Sequence, residues 1–574
     1  MGNVIGIGHD LWIASAALYI DGNLQSAIPE ERINRLKGYQ GFPGKSISNL
    51  LSYSNLDIKD IDLFCIGWNP SQYFNCLHPR FSKTPRWRAE MLYAIPNHIV
   101  SMGDGINIGT THIQIEGLKG KFAFYDHHMC HSFCSYYLSD FEESINISID
   151  GRGERKTSSI NTIVNGEYKE LSETLYPSSL GLFYGSFTQL CGFRPHSDEW
   201  KFMALGALSN NEQSVINFKK LIDQIISLQG YEIVLDMSYF SFDQPDVYGK
   251  TWTKKKLLNL LKIEAIDNWD DNYHKNNIYY DLSKAVQLKF EEIVKELIKK
   301  AVFDTGIKNI TITGGCAMNS VCNGKLHQWF PSYKFFIPPY PDDSGISIGA
   351  AIIGSKEIGN DIKKIDKKNY IYTGINYEKN EILKSIQESG LNFQDYQGNL
   401  ENVAKLISQG NLIGCFNGRS EFGQRALGNR SILGDPRKEE TKALLNKAVK
   451  YREVFRPFAP AVLHEYADLI FEDYVDSYFM ERVLTVKMEW RTKIPAVVHF
   501  DNTARLQTVT EEINKPFYNL ISAFYKVTGV PLLVNTSFNL NGEPNVENPR
   551  DAIRTFFSCG LDYLILGDYL ISKK

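Results

Sequence analysis

Residues 144–151 read SINISIDG, and this stretch indicates the class of fold that the chain adopts. Isoleucine alternates with small polar residues from position 145 to 149, which is typical of a β-strand with one buried face. The strand ends at Asp150, and Gly151 allows the chain to turn there. Because ligands of α/β proteins bind beyond the carboxyl ends of strands, we expect Asp150 to lie at the edge of a functional site.

The same arrangement recurs on both sides of this stretch. Val4–Gly8 is a short apolar strand followed by His9, and Asn309–Thr313 is another strand that runs into a glycine pair. Apolar residues at helical spacing predict one long helix from about Leu282 to Phe303. Strands that alternate with helices predict an α/β fold, in which glycine-ended strands of two related halves converge on one cleft.

A polar, lysine-rich segment predicts a division of the chain into two domains. Residues 354–368 read GSKEIGNDIKKIDKK, which is typical of a linker. We therefore place the domains at 1–360 and 370–574. The second domain has strands of its own, among them Leu412–Phe416 and Leu561–Leu566.

Composition and charge exclude several classes of protein. The chain has 574 residues, 43% of them hydrophobic, and a net charge of −4, which argues against generic binding to nucleic acid or anionic membranes. Its nine cysteines include no CxxC pair, which favours a reduced protein over a disulfide scaffold. No signal peptide and no membrane-spanning apolar run is recognisable, so we expect a soluble, cytoplasmic protein.

The densest group of possible ligands is DHHMCH at 126–131. In a helix, His127 and His131 would lie at i and i+4 on one face, a spacing at which two imidazoles can bind one metal ion. Asp150 and Asp343 each end an apolar or glycine-bordered segment and could add carboxylate ligands.

Two alternatives to this metal site stay open. The histidines of a single HxxxH pattern more often pack or cap a helix than bind metal. Cys130 and Cys134 offer a zinc site instead, although small buried hydrophobic side chains are the more common role of such cysteines.

Two further segments could contact a substrate in the first domain. His9 follows a strand, and its ordinary pKa suits the deprotonation of a hydroxyl, although turn histidines that only form structural hydrogen bonds are as common. The sequence GGCAMN, from Gly314 to Asn319, joins a strand to a predicted helix, so its backbone could approach a phosphate or ribose. Tight packing of strand against helix is the alternative, and it explains one glycine more easily than two followed by Asn319.

The strongest local charge lies between Arg419 and Arg456. This segment has ten basic and five acidic side chains in a chain that is acidic overall. Guanidinium groups bind phosphate oxygens bidentately, so the segment predicts a site for a polyanionic small molecule such as a nucleotide. A solvated basic face is the alternative, but the interleaved glycines and aromatic residues favour a formed pocket.

In their order along the chain, these motifs resemble those of the O-carbamoyltransferases of natural-product biosynthesis and nodulation-factor modification, the NodU/CmcH-type family. The motifs that carry the resemblance are GHD (8–10), DHHMCH (126–131), SIDGRGE (148–154), GGCAMN (314–319), YPDDSGISIGAA (340–351), GRSEFGQRALGNRSILGDPR (418–437), YREVFRPFAPAV (451–462) and VNTSFNLNGEP (534–544). The resemblance spans nearly the whole chain, and the two C-terminal motifs are the most specific.

The resemblance implies an N-terminal Kae1-like domain of the actin/hexokinase-like ATPase fold and a C-terminal YrdC-like α/β domain. It implies that the YrdC-like domain makes carbamoyladenylate from carbamoyl phosphate and ATP, with Mg²⁺ accompanying the ATP. The carbamoyl group then passes within the protein to the Kae1-like domain, where a hydroxyl of a small-molecule natural product attacks it and AMP leaves. In this family an iron(II) ion is bound in the Kae1-like domain.

The resemblance also implies roles for individual residues. The catalytic base matches His9, and the iron ligands match His127, His131, Asp150 and Asp343, with Asp342 as a competitor for the last position. Positions that contact the adenylate match Lys37, Gly151, Gly315 and Asn319. Positions of the carbamoyl phosphate and ATP pocket match Arg425, Lys450, Arg456, Arg505, Ser537 and Asn539.

The chain departs from the family pattern at two places. Leu11-Trp12-Ile13 lengthens the loop after His9, and Trp200 stands where the family usually has glycine, so Lys201 is given no role. The expected partner is a small-molecule hydroxyl acceptor, without nucleic acid or membrane, and a homodimer is one option for the assembly. The alternative functions are a threonylcarbamoyl-type enzyme acting on tRNA or protein, and a non-enzymatic nucleotide sensor on the same scaffold.

Overall fold

The computed structural model describes residues 2–9, 13–69, 111–115, 118–243, 251–270, 276–396, 398–450 and 458–573. The chain divides into two compact units. The first comprises Met1–Asn23 and Asp57–Lys364, and the second comprises Leu24–Leu56 and Ile365–Lys574.

The strands of the first unit form two mixed sheets and one short hairpin. They are β1 (Asn3–Gly8), β2 (Ser15–Ile20), β4 (Leu63–Ile66), β5 (Thr111–Ile115), β6 (Leu118–Phe124), β7 (Glu143–Ile149), β8 (Lys156–Val164), β9 (Glu167–Leu175), β10 (Ile226–Gln229), β11 (Glu232–Leu235), β12 (Asn309–Thr313) and β13 (Lys334–Phe336). The strand β3 (Asn23–Pro29) begins in the first unit and continues into the second.

Parallel pairing aligns the strand ends that matter for the site. In one sheet β2, β1, β4, β6 and β5 lie in that order, and β1, β4 and β6 are parallel. In the other sheet the order is β13, β12, β7, β8 and β9, with β13, β12 and β7 parallel. The carboxyl ends of each parallel set therefore lie at one edge of its sheet, which is where α/β proteins build their sites.

The helices of the first unit are His127–Leu138, Leu180–Leu190, Glu199–Leu205, Glu212–Ile222, Lys255–Leu261, Asn276–Thr305, Ser320–Trp329 and Ile346–Glu357. The helices His127–Leu138 and Ile346–Glu357 pack so closely that a Cβ on Gly349 would meet the backbone of Cys130. Both helices are buried almost throughout, because their small residues allow this close approach.

The second unit is built on one large sheet. Its strands, in chain order, are β14 (Phe393–Asp395), β15 (Ile413–Phe416), β16 (Arg430–Gly434), β17 (Ala459–Leu463), β18 (Arg482–Thr485), β19 (Thr503–Val509), β20 (Leu532–Ser537), β21 (Tyr563–Leu566) and β22 (Tyr569–Ser572). They lie in the order β14–β22–β21–β15–β16–β20–β17–β19–β18.

Helices cover this sheet and bury one continuous hydrophobic core. The helices that contribute to this core are Lys379–Glu388, Leu400–Ser408, Glu440–Leu445, His464–Ile470, Met488–Arg491, Lys515–Thr528 and Pro549–Phe557. The unit also contains the helices Glu30–Asn34, Gly44–Tyr53 and Lys367–Ile371. The best covered positions include Ile407, Phe524 and Phe556, which are fully buried.

The prediction of an α/β fold is confirmed. The alternating isoleucines form β7, and the predicted long helix is found at Asn276–Thr305, several residues longer at its start. The predicted domain limits, 1–360 and 370–574, assign residues 24–56 to the first domain, whereas those residues pack with the second unit. Arg32 and Arg35 account for this, because they donate hydrogen bonds to the carbonyl oxygens of Gly423 (3.0 Å) and Asn545 (2.6 Å).

Candidate functional site

The helix that carries the two candidate ligand histidines begins directly after β6. Asp126 caps it, because its Oδ1 accepts a hydrogen bond from the backbone N–H of Met129 at 2.8 Å. This start places His127 and His131 one helical turn apart, and both imidazoles are fully or almost fully buried.

Two carboxylates from other segments reach these imidazoles. Oδ2 of Asp150 lies 3.4 Å from Nε2 of His127 and 3.1 Å from Nε2 of His131. Oδ1 of Asp343 lies 3.5 Å from Nε2 of His127 and 3.8 Å from Nε2 of His131. One ligand atom from each of the four side chains lies within 4.8 Å of the other three.

The structure separates the two neighbouring aspartates, between which the sequence left a choice. Asp342 turns its carboxylate back onto its own loop, where Oδ1 accepts hydrogen bonds from the backbone N–H (3.3 Å) and the hydroxyl (2.5 Å) of Ser344. Of the two neighbours, it is Asp343 that joins the histidines and Asp150 in the cluster of possible metal ligands.

The electrostatics of the cluster favour a cation. Burial alone would lower the pKa of His127, but the hydrogen bond to Asp150 and the charge of Asp343 raise this pKa to about 9. Burial likewise opposes ionisation of Asp150, yet its hydrogen bonds to His127 and His131 hold the pKa of this carboxyl well below its usual value. The carboxylate of Asp150 thus stays ionised in a buried place and stabilises positive charge beside it.

The donor set fits a divalent transition metal ion. Two imidazole nitrogens and two carboxylate oxygens suit iron(II), manganese or zinc, and ligands about 2.1 Å from such an ion lie about 3.0–3.4 Å from one another. The measured distances of 3.1–3.8 Å between nitrogens and carboxylate oxygens are close to this spacing. His127, His131, Asp150 and Asp343 are therefore the residues that could hold a metal.

A second layer of buried charges, which the sequence analysis missed, supports the cluster. The carboxylate of Glu154 accepts hydrogen bonds from the backbone N–H groups of Asn69 (2.6 Å) and His127 (3.1 Å). Burial raises the pKa of Glu154 to about 7. Lys156 pairs with the capping carboxylate of Asp126 at 3.3 Å. The signal for Glu154 was present, since it ends the quoted SIDGRGE motif.

The glycine loop after β12 packs directly on the strand that carries Asp150. Gly314 has φ +83°, and a Cβ there would strike the carbonyl oxygen of Ile149. A Cβ on Gly315 would lie 3.1 Å from Oδ1 of Asp150, and the N–H of Gly151 donates to that same oxygen at 2.7 Å. The loop and the metal-binding candidates thus form one site within the first unit.

Asn319 has a structural role at the end of this loop. Its side chain forms a reciprocal amide pair with Gln287, with N···O distances of 2.9 and 3.0 Å. Its Oδ1 also caps the helix Ser320–Trp329 by accepting from the backbone N–H of Cys322 at 3.0 Å. Contact of this side chain with a nucleotide stays a prediction.

His9 and Lys37 lie in different units. His9 directly follows β1 and is buried, and its neighbour Gly8 approaches the backbone of Asp343, since a Cβ on Gly8 would lie 3.6 Å from the carbonyl oxygen of Asp343. Lys37 follows the helix Glu30–Asn34 and is exposed within the second unit, whereas Gly151, Gly315 and Asn319 belong to the first.

In the second unit, three of the predicted anion-binding residues meet. Nζ of Lys450 is buried and donates to the carbonyl oxygen of Ser537 (2.6 Å) and to Oδ1 (2.7 Å) and the carbonyl oxygen (3.0 Å) of Asn539. The hydroxyl of Ser537 donates to Oδ1 of Asn539 at 2.6 Å. The oxygens of Ser537 and Asn539 thus fix the position of this ammonium group within the second unit.

The other predicted cations of this unit lie on separate elements. Arg425 is half-buried in the loop between β15 and β16, and Arg505 is half-buried in β19 opposite Val483. Arg456 lies outside the described residues.

The basic segment from Arg419 to Arg456 is only partly available to a ligand. Arg419 donates to the carbonyl oxygens of Gly374 and Thr373, at 2.7 Å in each case. Arg430 is fully buried over the ring of Phe416, and Arg437 forms an ion pair with Asp435 at 2.7 Å. The interpretation of the whole segment as one anion pocket is therefore too broad, because the fold uses these three arginines.

None of the helices that the structure describes is long and apolar enough to cross a membrane.

Comparison with known proteins identifies the family. The family model of the carbamoyltransferase N-terminus matches residues 3–352, and that of the carbamoyltransferase C-terminus matches residues 404–573. The nodulation protein NolNO of Sinorhizobium fredii is 33% identical over 99% of this chain and 79% of its own length. The nodulation protein NolO of Bradyrhizobium diazoefficiens is 32% identical over 78% of this chain and 79% of its own. An uncharacterized protein of Synechocystis is 30% identical over 100% of this chain and 97% of its own length. Together the two family models match most of the chain, and the chain is therefore an enzyme that belongs to the carbamoyltransferase family.

Proposed function

We propose that the protein is an O-carbamoyltransferase that makes carbamoyladenylate from carbamoyl phosphate and ATP and transfers the carbamoyl group to a hydroxyl of a small molecule. In this proposal the second unit, of YrdC-like type, hydrolyses carbamoyl phosphate to carbamate and inorganic phosphate, and the carbamate oxygen then attacks the α-phosphate of ATP, so that pyrophosphate leaves and the adenylate forms. The first unit, of Kae1-like type, performs the transfer.

The observation that carries the proposal is the convergence of His127, His131, Asp150 and Asp343 in the first unit. A divalent ion bound there, iron(II) in this proposal, would act as a Lewis acid that offsets phosphate charge and polarises the carbamoyl group. The adjoining glycine loop, with Gly151 and Gly315 beside Asp150, offers backbone close to where a phosphate would bind.

His9 is the proposed general base for the transfer. It follows the carboxyl end of β1, beside the loop that carries Asp343. An imidazole there can accept the proton of the acceptor hydroxyl as its oxygen attacks the carbamoyl carbon and AMP departs. Because a carbamoyl mixed anhydride hydrolyses in water, a buried site also protects it.

The second unit supplies the anion-binding groups for adenylate formation. The ammonium of Lys450, held by Ser537 and Asn539, would stabilise negative charge on carbamoyl phosphate or ATP. Arg425, Arg456 and Arg505 are proposed to bind the remaining phosphate oxygens, with Mg²⁺ on the ATP.

The proposed partner is a small-molecule hydroxyl acceptor, and neither nucleic acid nor a membrane takes part. The overall charge of −4 supports this, because tRNA-binding enzymes need a basic surface. The proposed location is the cytoplasm, where ATP and carbamoyl phosphate are available.

The deciding experiment does not require the acceptor to be known. The purified protein is incubated with ATP, carbamoyl phosphate and Mg²⁺, while pyrophosphate is assayed and the products are analysed by mass spectrometry. Pyrophosphate together with a carbamoyladenylate mass supports the proposal. Neither product from protein that holds its metal would overturn it.

A further inference from the structure

Arg425 lies in a long loop without regular secondary structure. It connects the end of β15 at Phe416 to the start of β16 at Arg430 and contains no helix or strand of its own. Gly423 and Gly428 take φ values of +96° and +117°, so the loop turns sharply. Its buried N–H and C=O groups therefore need partners other than a helix or a sheet.

A buried carboxylate binds the N–H groups at the end of this loop. Oε1 of Glu421, a side chain that is 1% exposed, accepts hydrogen bonds from the backbone N–H groups of Leu427 (2.8 Å), Asn429 (2.8 Å) and Arg430 (3.2 Å). Three backbone donors on one side-chain oxygen hold these residues of the loop together. Its other oxygen, Oε2, has no hydrogen-bond partner among the described residues.

Two buried amides bind the carbonyl groups on the other side of the same loop. Nδ2 of Asn535 donates to the carbonyl oxygen of Ala426 at 3.0 Å, and Nε2 of Gln507 donates to that of Leu427 at 2.9 Å. The two amides are joined, because Nδ2 of Asn535 also donates to Oε1 of Gln507 at 2.8 Å.

The two amides come from strands that are not neighbours. β17 lies between β19, which carries Gln507, and β20, which carries Asn535. Opposite the two amides β17 has only alanine, since Ala461 pairs with Gln507 and Ala459 pairs with Asn535. These short side chains leave room above β17 for the amides to meet.

Burial of these polar side chains costs free energy, so we expect the network to have a role, which is to fix the geometry of the loop. Burying a carboxylate and two amides is less favourable than filling the same volume with apolar side chains, and Oε2 of Glu421 and Oδ1 of Asn535 have no hydrogen-bond partner among the described residues. The hydrogen bonds that the three side chains do make to the backbone fix the conformation of the loop. The strands place it beside the proposed ligand groups: Gln507 is two residues after Arg505, and Asn535 is two residues before Ser537, on the same faces.

We propose that Glu421, Gln507 and Asn535 are positioning residues that clamp residues 426–430 and thereby hold Arg425 in place for the anion that it binds. This inference rests on the proposed function, which assigns Arg425 to the carbamoyl phosphate and ATP pocket. The three residues act through the backbone of the loop, without touching the substrate.

The test combines variants of the clamp with loss of Arg425. Gln507→Met keeps the size of the side chain and removes one of the two donors to the carbonyl oxygen of Leu427, the other being the hydroxyl of Tyr372 at 3.0 Å. Gln394→Met, on the exposed edge strand β14, is the matched control. We expect Gln507→Met to lower the rate of pyrophosphate formation roughly tenfold, as for one lost buried hydrogen bond, and to raise the KM for carbamoyl phosphate. In an Arg425→Ala background the further loss should be less than about twofold, because the two changes then act on the same contact.

Equal losses in both backgrounds, or full activity of a folded Gln507→Met protein, would overturn the inference. A second pair of variants replaces Glu421. Glu421→Gln keeps an accepting oxygen and should retain most of the rate of pyrophosphate formation, whereas Glu421→Ala should lose it. Loss in both of these variants would count against an acceptor role.

Hydrogen–deuterium exchange separates failure of this inference from failure of the proposed function. If the unaltered protein makes no pyrophosphate, the proposed function fails by itself, and the loop is still tested by the exchange of amides 427, 429 and 430. We expect these amides to exchange at least about tenfold faster in Gln507→Met than in Gln394→Met, because opening then costs one hydrogen bond less. Unchanged exchange of these backbone N–H groups would show that the side-chain amide of Gln507 does not hold the loop in place.

Discussion

Oδ1 of Asp343 lies 3.5 Å from Nε2 of His127, and this contact joins two segments that are far apart in the chain. Asp343 belongs to the loop after β13, whereas His127 begins the helix after β6. Both loops follow strands of parallel sets, one from each sheet of the first unit. The metal-binding candidates therefore depend on the way in which the two sheets face each other across the helices His127–Leu138 and Ile346–Glu357.

Removal of this carboxylate should empty the metal site. In Asp343→Asn we expect the metal content, measured by inductively coupled plasma mass spectrometry, to fall at least about tenfold, because a ligand charge is lost. Asp342→Asn is the matched control, since its carboxylate accepts hydrogen bonds from Ser344 and does not belong to the cluster of possible metal ligands among the described residues. Equal losses of metal in the two variants would contradict the assignment.

His9→Ala should separate the two half-reactions. Adenylate formation belongs to the second unit in our proposal, so pyrophosphate release should persist, while carbamoyl transfer to an acceptor should fall about 10²-fold or more. Both are measured in one incubation, by pyrophosphate assay and by mass spectrometry of the acceptor. Normal transfer by this variant would remove His9 from the role of base.

Lys450→Met should have the opposite effect. The ammonium that Ser537 and Asn539 hold is lost, so pyrophosphate release should fall at least about tenfold, while the metal content of the first unit stays unchanged. Lys447→Met, at an exposed position nearby, is the control and should be fully active. A loss of metal in Lys450→Met would refute the division of labour between the units.

Gly314→Ala should destabilise the first unit. The new Cβ would strike the carbonyl oxygen of Ile149 at a residue with φ +83°, so we expect a loss of about 2–4 kcal/mol in the free energy of unfolding in urea. Gly306→Ala isolates the cost of the backbone angle, because Gly306 has φ +74° and open space around its Cβ position. That control should lose only about 1 kcal/mol. A similar loss in both variants would mean that the close approach to Ile149 is unimportant.

Glu199 should make the stability of the protein depend on pH. Burial raises the pKa of its carboxyl to about 7, above the value that the group has in an unfolded chain. The folded protein then binds more protons than the unfolded one between about pH 4.5 and 7, so the free energy of unfolding falls as the pH rises through this window.

Glu199→Gln removes this titration and keeps an oxygen that can accept the hydrogen bond from the backbone N–H of His196. Urea denaturation at pH 5 and pH 7.5 should therefore show a smaller loss of stability in the variant than in the unaltered protein. Glu212→Gln, at an exposed helix position, should behave like the unaltered protein. Equal pH dependence of all three proteins would exclude the raised pKa.

Short-range pattern was enough to predict the elements and the chemistry of the site. The alternation at residues 145–149 predicts β7, and the HxxxH spacing places His127 and His131 on one helical face, because both features follow from the geometry of a single element. The ordered motifs were also sufficient to identify the family, which the family models confirm.

Other features could not be predicted, because they depend on contacts between distant segments. The choice between Asp342 and Asp343 was open, since adjacent carboxylates have the same chemistry, and only the turn closed by Ser344 separates them. Likewise the local charge suggested that Arg419, Arg430 and Arg437 belong to an anion pocket, whereas backbone oxygens, an aromatic ring and Asp435 bind them in the folded chain.

The sequence by itself determined which residues can act, and the tertiary structure decided which of them meet. The residue types and spacings around His127, Asp150 and Lys450 determine their chemistry, because protonation and ligand preference belong to the side chain. The polar clamp of Glu421, Gln507 and Asn535 has no signal in any one segment. It exists only because side chains of the non-adjacent strands β19 and β20 meet above the alanines of β17 and bring buried amides to a loop that has no secondary structure of its own.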